Sequence, residues 1–259
     1  MMLRGLAIAL LLACSACLGC ATTKAEPDPW ERMNRGTFAF NEFADEWVVS
    51  PVARVWNIVL PKVVATGIDN VFENLRSPVD VLNNCLQGEF EEGYLQTWRF
   101  VLNTSFGIAG LIDVASRAGW PDHPEDFGLT LGTWGVGQGP YLVLPVLGAS
   151  SVRDSVGLGV DASAAAYSYW VPFYVPIAAR AIDLLNQRAI FFDEIEQSRE
   201  EAFDFYVFVR NAYLQNRARR LQGSPAGPGD KAVRASVEED DLYYFDDDFD
   251  DDLDDEDTP

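Results

Sequence analysis

The stretch Phe127–Val152, FGLTLGTWGVGQGPYLVLPVLGASSV, runs for 26 residues without a charged side chain. It holds Gly128, Gly132, Gly135, Gly137, Gly139 and Gly148, together with Pro140 and Pro145. Inside a helix each glycine costs about 1 kcal/mol and each proline about 3 kcal/mol relative to alanine, so this segment is no bilayer-crossing helix. A second window, Ala162–Ala179, adds 18 uncharged residues and is interrupted by Pro172 and Pro176. Between Phe127 and Ala179 only Arg153, Asp154 and Asp161 carry charge. Irregular backbone is tolerated at membrane depth where protein buries it or where it lines a polar cavity. The first window therefore reads as a glycine-rich hairpin or loop packed inside helices and walling a passage. The second carries Tyr167, Tyr169, Trp170, Phe173 and Tyr174, amphipathic rings of the kind that settle at a bilayer interface. Composition alone gives equal weight to fatty surroundings and to a buried core with tight turns.

On either side of these windows the pattern is helical. Glu31–Val48 places Met33, Phe38, Phe40, Phe43 and Trp47 at helical intervals. Pro51 opens a helix to Leu60, and Pro61 interrupts it. Lys62–Leu75 and Pro78–Gln87 follow as separate helices, with Gly88 as C-cap. Glu91–Phe106 carries Tyr94, Leu95, Trp98, Val101 and Leu102. The last two are Pro176–Glu194 and Gln197–Leu221, the latter with a stripe of Phe203, Tyr206, Val207, Tyr213 and Leu214. Strand-type alternation is scarce. The expected fold class is all-α, one helical domain over residues 30–221.

The N-terminus reads as an export signal. Met1–Arg4 is short and cationic, and Gly5–Ala13 is an apolar run of nine residues, too short for a membrane span. Cys14, Cys17 and Cys20 follow. Cys20, after Leu18-Gly19, is the expected acceptor of acyl groups, with residues 1–19 as the lipoprotein signal and 20–29 as a tether; Cys17 is the alternative. Ala21 is not an aspartate, which favours the outer over the inner membrane. The remaining cysteine, Cys85, has no partner for an internal disulfide and is expected to be a small buried residue.

Of the net charge of −21, fourteen acidic side chains lie in residues 238–259, which contain no Lys or Arg. Residues 222–259 read as a Gly/Pro/Ser linker and an extended acidic tail. Tyr243, Tyr244, Phe245 and Phe249 are interleaved with its aspartates, a pattern suited to a basic partner surface. Spacing for a Ca²⁺ loop is missing. The acidic balance excludes nucleic acid. The basic cluster Arg217, Arg219 and Arg220 suits the negative end of a helix dipole.

Catalytic chemistry finds little support. His123 is the single histidine, and Gly148-Ala149-Ser150-Ser151-Val152 misses a nucleophile elbow by its last residue. Zinc lacks ligands. Gly135-Val136-Gly137-Gln138-Gly139 precedes Pro-Tyr rather than a helix, so it makes a poor phosphate cradle. No catalytic residue, metal site or cofactor is expected.

Several motifs occur in a fixed order. They are Asp28-Pro29-Trp30-Glu31, Asn34-Arg35, Phe40-Asn41, Asn83 with Leu86-Gln87-Gly88, Arg99-Phe100 and Asn103-Thr104. After them come Gly107, Gly110, Asp113-Val114-Ala115, Glu125 through Gly132, Trp134-Gly135-Val136-Gly137, Gly139-Pro140-Tyr141, Leu144-Pro145 and Arg153-Asp154. This set, over Asp28–Asp161 and more loosely to Leu221, resembles the MlaA (VacJ) family of outer-membrane lipoproteins. The resemblance implies a helical ring in the periplasmic leaflet of the outer membrane, with a central amphipathic channel. It implies removal of phospholipid misplaced in the outer leaflet and its delivery to a soluble periplasmic carrier of the MlaC kind, beside a trimeric porin. Phospholipid would be the transported ligand. Under it, Phe127, Trp134, Val136, Gly137, Tyr141 and Pro145 are the expected channel wall. Tyr169, Trp170, Phe173 and Tyr174 are the expected membrane contacts. The acidic tail departs from that pattern. Two rivals stand beside this reading: a porin-bound scaffold that moves no lipid, and a membrane-bound lipid hydrolase working through His123.

Overall fold

The computed structural model describes residues 28–222. The export signal, Cys20 with Cys17, most of the tether and the acidic tail beyond Gln222 lie outside the described residues. The chain divides into two compact units at Leu214. Of the second, the described part is the end of the last helix, with Arg219 and Arg220 in its final turn, where the helix dipole favours cations.

The first unit opens with α1 (Glu31–Ala44), a π-turn (Asp45–Val49) and α2 (Ser50–Val59), which run on without a break. The expected interruption before Pro51 is absent, for a simple reason. Proline has no N–H for a helical bond, and the π-turn absorbs the defect: the Ser50 N–H reaches five residues back to the Asp45 carbonyl. Leu60 is extended, as a residue before proline prefers, and the chain bends by 118° into α3 (Lys62–Gln87). Here too a predicted boundary is missing, since Pro78 lies inside one 26-residue helix. Buried contacts at Asn74, Ser77, Asp80 and Asn83, on both sides of the proline, hold it together. Gly88 ends it with φ 86°, as its predicted capping role requires.

Helix α4 (Phe90–Ser105) folds back along α3 after two residues. Short α5 (Val114–Arg117) and α6 (Phe127–Thr133) follow, then an antiparallel hairpin of β1 (Tyr141–Leu144) and β2 (Gly148–Ser151), in register Tyr141↔Ser151 through Leu144↔Gly148. The charge-poor window thus contains both a hairpin and a short helix. Helix α7 (Val152–Ala164), missed by periodicity, packs on α6; a 3-10 turn (Ala166–Tyr169) leads to α8 (Tyr174–Ile190), which packs on α2 and α3. The predicted helix Gln197–Leu221 is two, α9 (Phe192–Glu201) and α10 (Phe205–Leu221). Asp204 makes the break: its carboxylate accepts the Val207 N–H at 3.2 Å, an N-cap bond, and takes Arg35 at 2.7 Å.

Burial in this unit is inverted. Of the nine buried apolar residues among those described four are alanines, the others being Val79, Leu129, Tyr141, Val143 and Tyr206. The rest of the interior is polar: Asn34, Asn83, Asn84, Gln96, Arg99, Asn186 and their partners. Such groups are tolerable only when hydrogen-bonded, and most are. Asn83 donates to Asp161 at 2.9 Å and accepts from Thr130 at 3.0 Å. Arg99 donates to Asp113 at 3.0 Å, Ser116 at 3.1 Å and the Trp120 carbonyl at 2.6 Å. Asn186 joins Trp56 to the Ala65 carbonyl. The expectation that Cys85 is buried fails: it is exposed, because the inward face of α3 is the polar one, with Asn83 and Asn84.

Candidate functional site

The uncharged segment is built around a few polar anchors. Asp126 caps α6 by accepting the Leu129 N–H at 2.9 Å, and Ser151 caps α7 by accepting from Asp154 at 3.1 Å. The serines of the near-miss elbow are thereby occupied, Ser151 as a cap and Ser150 with the Ser155 hydroxyl. Arg153, almost fully buried, pairs with Asp154 at 2.9 Å, and the second Asp154 oxygen accepts the Tyr213 hydroxyl. Helices α6 and α7 touch backbone to backbone. A Cβ on Gly157 would stand 2.3 Å from the Gly128 nitrogen, so no other residue fits. Asp161 receives the Phe127 N–H and Asn83; burial raises its pKa above the ordinary carboxylate value, and these bonds offset only part of that.

Two asparagines of α1 hold the hairpin. Asn34 donates to the Tyr141 carbonyl at 3.0 Å and accepts the Val143 N–H at 3.0 Å. Its amide thus pairs with β1 as a neighbouring strand would. Asn41, seven residues on and so on the same helix face, grips the turn through the Leu144 carbonyl and the Val146 N–H. Asp28 completes this knot, accepting from Asn34 at 2.8 Å and from the Tyr206 hydroxyl.

The six expected wall residues differ in burial. Phe127 is half-buried, edge-on to Trp134 at 5.8 Å. Trp134 is exposed, and its indole donates to the Leu86 carbonyl at 3.0 Å. Val136 is half-buried and Gly137 exposed. Pro145 is exposed on a groove of about 550 Å³ shared with Arg32, Met33, Gly36, Thr37 and Phe40. Tyr141 needs correction. Alternation along β1 sends Tyr141 and Val143 inward, and Tyr141 lies at 1% exposure against Tyr206 and Tyr213. It faces no passage.

The four expected membrane contacts all stand outward: Tyr169 74%, Trp170 89%, Phe173 81% and Tyr174 60% exposed. Large apolar residues are exposed elsewhere too, and the sequence spacing did not mark them as surface. On α1, the π-turn and α2, Phe43, Trp47, Val52, Val55, Ile58 and Val59 are exposed, as are Val63, Phe90, Tyr94 and Trp98 on α3 and α4. Phe106 and Ile108 project from a loop in which Ile108 and Ala109 both have positive φ (54° and 58°), strain that non-glycine residues rarely carry. The available signal was the stripe of large apolar residues itself, which periodicity places on a core-facing side by default. No single described helix is long and apolar enough to cross a membrane; the bent pair of α1–α2 with α3 passes that test only together. His123 is half-buried, and its main-chain carbonyl accepts from Asn84. Among the described residues no three His, Cys, Asp or Glu side chains are grouped to hold a metal ion.

This combination of hydrogen-bonded polar interior and apolar exterior has relatives. A protein of Escherichia coli (strain K12) named intermembrane phospholipid transport system lipoprotein MlaA is 33% identical over 240 residues, covering 90% of this chain and 95% of that one. The protein of the same name from Haemophilus influenzae is 34% identical over 219 residues, covering 80% and 86%. An uncharacterised protein of Rickettsia felis is 31% identical over 196 residues, 75% of this chain and 78% of its own. A solved structure, from work on the structural basis for maintenance of bacterial outer membrane lipid asymmetry, aligns with TM-score 0.63 at 33% identity over 73% of this chain and 96% of its own. The family model for MlaA lipoproteins matches residues 26–220, the whole span in which the ordered motifs and the inverted helices lie, and the chain belongs to the MlaA lipoprotein family.

Proposed function

We propose that this protein is an outer-membrane lipoprotein that withdraws misplaced phospholipid from the outer leaflet and hands it to a soluble periplasmic carrier, so maintaining lipid asymmetry. Acyl groups on Cys20 tether it to the periplasmic leaflet, and the helical body forms a ring embedded in that leaflet. One observation carries the reading: the interior is asparagine, aspartate and arginine while tryptophan, phenylalanine and isoleucine face outward. In water an exposed apolar surface of this extent marks a binding or membrane site. In a bilayer it is the favourable arrangement, since apolar burial there needs no protein partner. A phospholipid needs a polar route for its headgroup and an apolar side for its tails, and a body sorted in this way supplies both. Phe127, Trp134, Val136, Gly137 and Pro145 are retained as candidate wall residues, and the aromatics from Tyr169 to Tyr174 as lipid contacts.

The decisive experiment is deletion of the gene with measurement of surface phospholipid. Accumulation in the outer leaflet, reversed by the wild-type chain and not by a Cys20→Ser form, is the expected result. Unchanged surface phospholipid and unchanged detergent sensitivity overturn the reading. Crosslinking from the exposed helical faces tests the proposed porin and carrier partners. A charge at half-buried Val136 tests transport apart from attachment: a conduit with Val136→Asp loses lipid movement while still folding and binding the porin, whereas a scaffold is indifferent.

A further inference from the structure

Away from the glycine-rich segment, α1, the π-turn, α2 and α9 enclose a half-open cavity of about 660 Å³. It is lined by Glu42, Glu46, Ser50, Arg54, Glu196 and Arg199, with Pro51 and Val55 at its side. Cavities of this size hold small molecules. Most of the charges are already matched. Arg199 bonds to Glu42 at 3.1 Å, Asp45 at 3.0 Å and Glu196 at 2.9 Å, and Arg188 to Asp45 at 2.9 Å and to Glu196. Two charges are not. Among the described residues neither Glu46 nor Arg54 makes an ion pair or hydrogen bond; Arg54 lies over the Phe192 ring at 5.2 Å, and the same ring carries the Arg188 guanidinium at 4.7 Å. The cavity lining thus includes an unneutralised cation, Arg54. It also includes an unneutralised carboxylate, Glu46, with Glu42 one turn before it. Burial raises the Glu42 pKa despite Arg199, so that side would gain from a further positive charge. Pro51 and Val55 line the cavity, and Trp47, Val48, Val52 and Val55 are exposed apolar residues on the same elements.

We propose that this cavity is a docking site for a zwitterionic phospholipid headgroup of the phosphoethanolamine class, with phosphate on Arg54, ammonium between Glu46 and Glu42, and acyl chains along the exposed apolar residues from Trp47 to Val55. A phosphate–guanidinium contact suits Arg54 because its planar donors fit phosphate oxygens. An anionic headgroup without an amine satisfies Arg54 alone and leaves Glu46 unmatched beside a further negative charge. The site therefore selects the amine-bearing lipid. This inference rests on the lipid-handling reading above and names a headgroup class for it.

The test uses the full lipidated chain, equilibrated with vesicles of equimolar phosphatidylethanolamine and phosphatidylglycerol, re-isolated, and analysed by mass spectrometry of retained lipid. The wild type is expected to retain the amine lipid at least threefold over the glycerol lipid. Glu46→Gln is expected to bring that ratio towards one while total lipid stays within twofold. Arg54→Gln is expected to lower retention of both lipids at least threefold. Both side chains are exposed, so the fold is expected to survive, and an unchanged circular dichroism melt verifies it. Retention at the vesicle ratio by the wild type, no retention at all, or a ratio insensitive to both substitutions overturns the site. Displacement of the lipid by equimolar soluble glycerophosphoethanolamine would show that the cavity takes a free headgroup, and also overturns its assignment to membrane lipid. The function itself is judged separately by surface phospholipid in the deletion strain, so phospholipid accumulation in that strain together with unselective retention removes this site and leaves the conduit standing.

Discussion

The hairpin and the long helix α3 solve the burial problem in opposite ways. Around β1, Tyr141 and Val143 point inward against Tyr206, with Phe38 and Leu214 packed beside them, the ordinary arrangement of a water-soluble core. Along α3 the inward positions are small residues, Val79, and the polar Asn74, Ser77, Asp80, Asn83 and Asn84, while Val63, Leu82 and Leu86 stand outside. One chain therefore carries two packing rules. Under the proposed function the difference follows the surroundings: apolar groups go inside where the outside is water, and polar groups go inside where the outside is lipid.

The comparison is broken most severely at the contact that joins its two halves. Gly157→Val is expected to destabilise the protein by about 3 kcal/mol, since the added atoms have no room beside the Gly128 backbone; urea unfolding in mild detergent measures it. Next is the polar interior. Asn83→Leu, isosteric and more apolar, would be neutral in a conventional core. Here it strips Asp161 and Thr130 of a partner, and a loss of about 2 kcal/mol is expected; an unchanged midpoint would show that the interior has been misread. The exterior behaves the other way. Trp170→Ala with Phe173→Ala is expected to leave the melting temperature within a degree while lowering vesicle partitioning about tenfold, which corresponds to about 1.4 kcal/mol.

The smallest effect sharpens the hairpin side. Burial, with Asp28 nearby, pushes the Tyr141 hydroxyl up to about 12, and that hydroxyl has no hydrogen-bond partner. Tyr141→Phe is expected to stabilise the fold by about 1 kcal/mol. The sign of the pH effect follows. An unfolded tyrosine ionises near 10 while the folded one holds its proton longer, so this contribution is complete below pH 10 and lost as the pH rises through about 12. The phenylalanine variant is expected to lose that part of the alkaline instability in a pH-jump unfolding measurement. The Tyr206 phenol, raised by burial and by Asp28, retains its own share.

The long helices outside the charge-poor window were legible in spacing, and local glycine and proline narrowed that window to a hairpin or loop, but α6 and α7 were not seen. Boundaries at proline were not. Pro51 and Pro78 were read as starts, yet a π-turn accommodates one and flanking tertiary contacts carry the helix through the other. The split at Asp204 was missed because it depends on Arg35, 169 positions away. The exposed aromatics near Trp170 could be named because proline and missing charge isolate them. Tyr141 was placed on a wall because a four-residue strand inside a glycine run shows too little alternation to reveal which side faces in. The exposed stripe of α2 and the outward Cys85 escaped for a deeper reason. Periodicity identifies a face but not its environment, and the default assignment of apolar to interior fails here, where the large apolar side chains stand outside and the polar ones inside.

The amide of Asn34 has a consequence for assembly. The outer edge of β1 offers the main-chain donor and acceptor that a further extended segment would seek, and a side chain of the same molecule already occupies them. Open edges of this kind template chain-to-chain polymerisation. With its edge plugged from within, the hairpin gives crowded neighbours no seam to zip onto along that flank, and any companion protein must engage the molecule there through side chains instead of borrowed backbone.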